Sequence, residues 1–379
     1  MFYEKQPKEQ QENYKLMLKI IGSLTKLFSD SKSPYLPYRV QENVFCKYFE
    51  AENLARSDNS ADAKKEKFGI GLKTWVGNDD QKVAEFDSLR EQYATLTGIK
   101  LAKKISEYRN ERIRVTKNLY DIDTLIYHIV KRVPNAMQIL EHSFDLIDID
   151  NISLIRKGNK NNTYFTDGKH TYHFSLSKNT LYMIFDDMVL LDSFDVEILD
   201  DPYSYLMNLT VPTQIETPIP FVESVELDTS NKVCLRLYSV KKGKKFVPDR
   251  SGLNQWNALG RKRDANEIYI PFPSKDRNRF RDFFPSRNTS FKLILPNGRE
   301  ISAKVCQQDD KAIMSNPNKE LGEWLLRKVF EIKEKTLVTY DMLELFGIDS
   351  VVFTKIEDLK YKVDFAEIGT YEAFYGENK

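Results

Sequence analysis

Two stretches of this 379-residue chain carry side chains whose types and spacing could do chemistry. The first runs Asp58-Asn-Ser-Ala-Asp62 and then Gly69-Ile-Gly-Leu-Lys73-Thr-Trp. Carboxylates followed by a lysine suit phosphodiester hydrolysis. The carboxylates hold Mg²⁺, the metal lowers the pKa of a bound water and offsets charge on the phosphate, and a lysine lies near the attacking water. Asp62 stands ahead of the strand-like run FGIGLKTWV and Lys73 stands on it. A second carboxylate has three sources: Glu50 and Glu52 in YFEAENLARSD, of which Glu50 is preferred, and Glu85 in QKVAEF. The triplet Asp62-Ala-Lys64 offers the same pair of types in a polar loop. Acid and lysine across a loop are also what an ordinary solvated surface presents.

The second stretch offers amides and arginines. Asn254, Gln255, Trp256, Asn257, Arg261, Lys262 and Arg263 precede the run EIYIPFP. Asn and Gln make bidentate contacts to adenine in the major groove, and Arg makes them to guanine. A second polar run, MSNPNKELG, offers Ser315, Asn316, Asn318 and Lys319 where a helix opens, and a helix N-terminus favours phosphate. Arg109, Arg112 and Arg114 near a helix end, and the insert Ser175-Leu-Ser177-Lys178-Asn179, suit phosphate contacts or surface salt bridges.

The chain around these stretches is neutral in total: 57 Lys plus Arg against 56 Asp plus Glu. Residues 241–330 hold 20 basic and 10 acidic residues, a local +10 that leaves −9 for the remainder of a +1 chain. A basic module joined to a more acidic one is what a polyanion binder fused to another domain produces. With 41% hydrophobic and 12% aromatic residues, wholesale disorder is excluded. Three scattered cysteines exclude a disulfide framework or a zinc cluster and suit a reducing, cytoplasmic compartment. The polar N-terminus lacks a signal peptide's apolar core, and no 18-residue apolar run points to a membrane.

Length predicts two or three domains. The periodicity predicts helices over 12–29 and 40–55, a strand at 68–76, helices over 81–110, and continued helix over 119–142 with a break near Pro134. Strands joined by turns follow over 150–200. The prolines Pro212, Pro218 and Pro220 mark a linker at 211–222. Beyond it come KVCLRLYS, EIYIPFP, SFKLILP, EISAKVCQ, KAIMS, VVFTKI and YKVDF as short strands, a hairpin turn at Pro296-Asn297-Gly298, and helices at 318–331 and 339–347. The second helix has Thr339 as N-cap and Gly347 as its stop.

The segment 251–285, with FKLILPNGREISAKVCQQDDKAIMSNPNKELGEWLLRKV and VTYDMLELFGIDSVVFTKI, resembles the B3-type DNA-recognition domain of restriction endonucleases. It resembles in particular the NgoFVII type and more distantly the EcoRII and BfiI effector domains, over residues of about 223 to 368. The resemblance implies a seven-stranded pseudobarrel with two helices. An N-arm at Asn254–Arg263 and a C-arm around Ser315–Lys319 would grip the major groove. Relatives often carry a phospholipase D-type nuclease with a His-x-Lys signature. None of His128, His142, His170 and His173 has a lysine two positions on, and His170 and His173 face opposite sides of a strand.

Asp62 and Lys73 instead resemble the PD-(D/E)XK nuclease core, with one departure. Gly71 stands where an acid is expected two positions before the lysine. The implied architecture is a two-domain protein. It has a helix at 1–30, an α/β nuclease-like domain at 31–210, the linker at 211–222, and the B3-like domain at 223–379. The implied function is a type II restriction endonuclease of bacterial defence. Asp62 and Glu50 would hold Mg²⁺, Lys73 would act on the water, and double-stranded DNA would be the partner. Cutting both strands implies a dimer on DNA. The alternatives are a DNA-binding protein without catalysis, different chemistry at the recognised site such as base excision, and a nuclease that requires methylated DNA.

Overall fold

The computed structural model describes residues 1–54, 59–155, 161–208, 231–287 and 289–376. The expected linker at 211–222 and Asp58 lie outside the described residues. The chain divides into two compact units, Met1–Ile113 with Ile122–Phe221, and Arg114–Asp121 with Val222–Lys379.

The first unit opens with helices α1 (Lys8–Ser23) and α2 (Tyr38–Phe49). Its strands are β1 (Glu52–Asn53), β2 (Ala63–Lys65), β3 (Phe68–Val76), β4 (Asp80–Glu85), β5 (Thr124–Val133), β6 (Ala136–Ser143), β7 (Ser153–Leu154), β8 (Asn162–Thr166), β9 (Thr171–Ser175), β10 (Thr180–Ile184) and β11 (Val189–Asp195). Between β4 and β5 run α3 (Arg90–Tyr93) and the long α4 (Gly98–Tyr120), whose residues from Arg114 on belong to the second unit, and α5 (Pro202–Met207) follows β11. One six-stranded sheet has the order β1-β2-β3-β5-β6-β11, and a five-stranded sheet the order β4-β10-β9-β8-β7. The pair β3–β5 is parallel, and the other pairs within these two sheets are antiparallel.

Strand alternation explains how β3 is used. Ile70 and Leu72 fall on one face and join Tyr14, Leu18, Phe45 and Phe49 of α1 and α2 in a core cluster. Gly69, Gly71 and Lys73 share the opposite face. Two expectations fail here. Residues 124–143 are a β-hairpin rather than helix. The run Thr124–Val133 is rich in β-branched and aromatic residues, and Pro134-Asn135 makes the turn with Asn135 at φ 56°. Residues 80–85 form an edge strand because they add to β10. The helix expected at 99–110 extends to Tyr120.

The second unit contains β12 (Lys232–Arg236), the hairpin β13 (Ser239–Lys241) and β14 (Lys244–Phe246), β15 (Ile270–Pro271), β16 (Ser290–Ile294), β17 (Glu300–Cys306), β18 (Ala312–Ser315), β19 (Ile348–Glu357) and β20 (Lys360–Glu367). Its helices are α6 (Ser274–Arg279), α7 (Glu320–Gly322, continued by a π turn over Glu323–Val329), α8 (Tyr340–Phe346) and α9 (Thr370–Tyr375). The seven-stranded sheet is ordered β12-β19-β20-β16-β17-β18-β15, and its edge strands β12 and β15 approach each other, so the barrel nearly closes. Among the described residues, only β16–β20 is parallel among its pairs. Thr339 caps α8 by accepting from the Met342 N–H, and Gly347 ends it in the left-handed region, as expected. Gly298 makes the predicted β16–β17 turn at φ 83°.

Candidate functional site

In the first unit, three ionisable side chains gather where α2 meets the start of β2 and the middle of β3. Asp62 lies one residue before β2. Its N–H donates to the Ile70 carbonyl at 2.9 Å, its carbonyl accepts from Leu54 N–H at 2.9 Å, and its Oδ2 accepts from Leu72 N–H at 2.7 Å. The carboxylate is thereby pinned to β3 beside the residue that precedes Lys73. Gln41 of α2 donates from Nε2 to the Lys73 carbonyl at 3.0 Å, which ties the helix to the same point of the strand. Glu42, the next residue of α2, is only 6% exposed and accepts from Arg39 at 3.0 Å.

The electrostatics of the three are linked. Burial pushes Asp62 above the ordinary carboxylate range, opposed by the Lys73 charge, the Leu72 N–H and Arg39. Glu42 is pushed up by burial and then by Asp62, opposed by Arg39 and Lys73. Burial pushes Lys73 below the ordinary lysine range, opposed by Asp62 and Glu42. Burial acts against the charged form of all three, and the Asp62 charge adds to it at Glu42.

Glu50 is not part of this cluster. It terminates α2 in the left-handed region at φ 53° and is exposed. The α2 acid whose charge is coupled to Asp62 and Lys73 is Glu42, two turns earlier. Its signal was visible in the sequence as an acid on the apolar stripe that also carries Phe45 and Phe49. Glu52 sits exposed on β1, and Glu85 pairs with Lys82 on β4 in the other sheet. Lys64 lies on β2 rather than in a loop. A Cβ at Gly71 would stand 2.8 Å from the Tyr127 ring and 3.1 Å from Phe144. Those two rings stack at 4.1 Å and fill the space that a side chain there would need.

Arg109 is not a free phosphate contact. It is buried, donates to the Asp145 carbonyl at 2.8 Å, and lies over Phe144. Arg112 donates to the Glu85 carbonyl at 2.8 Å. Asn179 is likewise buried, accepting from Arg90 at 2.6 Å and from Tyr93 at 2.9 Å. His170 is 3.4 Å from Asp145, and His173 is 3.3 Å from Asp80 and stacked on Tyr182. Among the described residues, no group of three or more His, Cys, Asp or Glu is placed to hold a metal ion. A cation at Glu42 and Asp62 would therefore have two protein carboxylates. That donor set fits Mg²⁺, which keeps several waters and takes substrate phosphate oxygens.

In the second unit the two expected arms converge. Gln255, Arg261 and Arg263 from one segment, and Ser315, Asn316 and Asn318 from the other, line a single groove of about 700 Å³. Glu267, Lys304 and Gln307 also line it and were not anticipated. Lys304 comes from β17 and Gln307 from the residue after its end, so the barrel wall forms part of the groove. Arg261 is exposed, and Asn316 is exposed at the mouth of the C-arm segment.

Several expected contacts are spent on the fold instead. Asn254 is fully buried. Its Nδ2 donates to the carbonyls of Pro248 and Val338 at 3.1 and 2.9 Å, and its Oδ1 accepts from Val338 N–H at 2.8 Å. Ser315 is buried and accepts the Leu321 N–H at 2.9 Å, which takes up a donor that could have met phosphate at α7. Arg263, 12% exposed at its side chain, ties its own loop by donating to the carbonyls of Ala258 and Leu259 at 2.6 and 3.0 Å. Asn257 donates to the Asp249 carbonyl at 2.9 Å, and Lys319 pairs with Glu323 at 3.0 Å. Trp256 and Lys262 lie outside the groove lining.

No helix among the described residues is long and apolar enough to cross a membrane. Residues 228–357 match the family model of the NgoFVII C-terminal B3-like DNA-binding domain. The match covers the barrel from before β12 to the end of β19 and includes both groove-forming segments. No curated protein matches the chain.

Proposed function

We propose that this chain is a sequence-specific double-stranded DNA endonuclease of restriction type, acting in bacterial defence. The observation that carries the reading is the groove. Amide and guanidinium groups of the types that read base edges come from two segments far apart in sequence and meet in one concavity, inside the region matched to a DNA-binding domain. Exposed Lys and Arg around it position the duplex by phosphate contacts, and the groove side chains specify the sequence.

Cleavage is assigned to the first unit. Glu42 and Asp62 would hold Mg²⁺, which would supply Lewis-acid activation of water and offset charge at the scissile phosphate. Asp62 is oriented by the Leu72 N–H, so its carboxylate faces the site without needing to reorganise. Lys73, with its proton affinity reduced by burial, orients the attacking water and can exchange a proton with it at Nζ. Cutting both strands takes two such sites, so a dimer on DNA completes the reaction.

The test is digestion of varied plasmid DNA by the full chain with Mg²⁺ or with EDTA, followed by mapping of the product ends. Fixed ends that require the divalent cation support the proposal. Selective binding without any cut, under every divalent condition, favours the second reading, a DNA-binding protein without catalysis. The blocked position at Gly71 is the observation behind that reading. Product formation in excess EDTA would point to different chemistry such as base excision.

A further inference from the structure

We infer that Glu267 couples the two base-reading segments, so that Arg261 and Asn318 recognise a site as one unit rather than as two independent contacts. The inference rests on the DNA-reading proposal above. Glu267 is 1% exposed yet forms part of the groove wall. Its Oε1 accepts from Arg261 Nη2 at 2.5 Å and lies 3.4 Å from Arg263 Nε. Its Oε2 accepts from Asn318 Nδ2 at 3.0 Å. One oxygen therefore serves the N-arm and the other serves the C-arm.

The chemistry makes this a constraint on both arms. An ionised carboxylate is acceptor-only, so it dictates that Asn318 turns its Nδ2 inward and keeps Oδ1 as the acceptor left over for a base. It also fixes the planar fork of Arg261, which remains 54% exposed with donors to spare. A buried carboxylate needs its partners, so loss of either arm's contact leaves charge uncompensated and disturbs the other.

The segment behind Glu267 is held as firmly. Arg327 donates to the Ala265 carbonyl and to Asn266 Oδ1, each at 2.7 Å. A Cβ on Gly322 of α7 would lie 1.9 Å from the Asn266 carbonyl oxygen, so only glycine lets the helix approach that backbone. Glu267 is accordingly a positioning residue. It touches the reading side chains and sets which of their donors and acceptors remain for a base.

The experiment begins by selecting duplexes from a random-sequence pool with the full chain, and then measures Kd for a selected duplex and for its scrambled counterpart. Glu267→Ala is expected to weaken binding to the selected duplex on the order of ten- to a hundredfold. Binding to the scrambled duplex should hold or tighten, because a negative charge has left the groove. A merely structural role would weaken both. Glu267→Gln keeps the shape but places an amide N–H against one of two donors, and should lose part of the preference.

In the wild-type background, Arg261→Ala and Asn318→Ala together should cost little more than the worse of the two alone, and in Glu267→Ala each should cost little. If Arg261 and Asn318 losses multiply independently in the wild type, or if Glu267→Gln keeps full preference, the coupling is overturned while DNA reading stands. If Glu267→Ala does not fold, Glu267→Gln and the Arg261/Asn318 pair still decide. If the wild type enriches no duplex at all, the DNA-reading proposal fails and this inference fails with it.

Discussion

The Leu72 N–H donates to Asp62 Oδ2 at 2.7 Å, and this bond ties the carboxylate to the strand residue directly before Lys73. The acid and the lysine are separated by a turn in sequence, yet a backbone donor of one strand fixes their relation. The proposed catalytic chemistry therefore depends on β3 staying in register with the start of β2, where Ala63 pairs with Ile70.

Glu42 and Glu50 give opposite outcomes in a cleavage assay. Glu42→Ala, Asp62→Ala and Lys73→Ala should each lower the rate of plasmid cutting by about two orders of magnitude or more, with binding to the selected duplex retained. Glu50→Ala should leave the rate unchanged, because Glu50 ends α2 in an exposed position. A rate that falls with Glu50 and not with Glu42 would remove the helix acid from the site.

The same carboxylates predict the sign of a stability effect. Glu42 and Asp62 have raised pKa values in the folded chain, so the folded state binds more protons than the unfolded state between the ordinary carboxylate pKa and the raised value. Stability therefore falls as pH rises through that window. Glu42→Gln removes the Glu42 share of this penalty. In EDTA at pH 7 the variant should melt at a higher temperature than the wild type, and the difference should shrink as pH drops towards about 4. Mg²⁺ should raise the wild-type Tm more than the variant's. Thermal melts across pH with and without Mg²⁺ test all three statements, and a variant that melts lower at pH 7 contradicts the sign.

Restoring the acid at the position of Gly71 should not improve the protein. In Gly71→Asp the new Cβ meets the Tyr127 ring at 2.8 Å, within a stacked pair that has little room to move. Overpacking of this kind costs about 1–3 kcal/mol. A lower Tm with no gain in cutting is the expected result, and a gain in cutting would show that the site lacks the carboxylate that Glu42 is assigned to supply.

Asn254 and Gln255 are neighbours in sequence with different work. Asn254→Ala leaves the Val338 N–H and carbonyl without their partner and should cost about 1–3 kcal/mol of stability. Gln255→Ala should leave the Tm nearly unchanged and relax base preference at one position of the selected site, by about 1–3 kcal/mol of discrimination. Calorimetry and competition binding separate the two, and a preference change confined to Asn254→Ala would reverse the assignment.

Much of the second unit was legible in the sequence because its strands are short, apolar and punctuated by turns. Thr339, Gly347 and Gly298 act as their types predict. The arms were legible as side-chain types but not as geometry. Asn254, Ser315 and Arg263 have the chemistry of base readers and are consumed by backbone groups that only the fold brings near. In the first unit, the placement of Asp62 ahead of a strand and of Lys73 on it was legible from a strong strand signal. The burial of Glu42 was missed because charged helical residues are read as solvent-facing, and only its neighbours Phe45 and Phe49 betray the buried face. The segment 124–143 was misread because an apolar run does not by itself distinguish strand from helix.

The order of strands in the barrel has a consequence for how the second unit comes into being. β12 hydrogen-bonds to β19, with Lys232 opposite Thr354, and β16 runs parallel to β20. Among the described residues, β12 leaves the ribosome before the other barrel strands and has no hydrogen-bonded neighbour in its sheet until β19 is made. Pairings so distant along the chain are slow to form, and unpaired strand edges invite aggregation in the interval. Synthesis of β19 is the event that ends this wait, so a chain cut short before Ile348 would be left with an open, adhesive edge rather than a smaller reader.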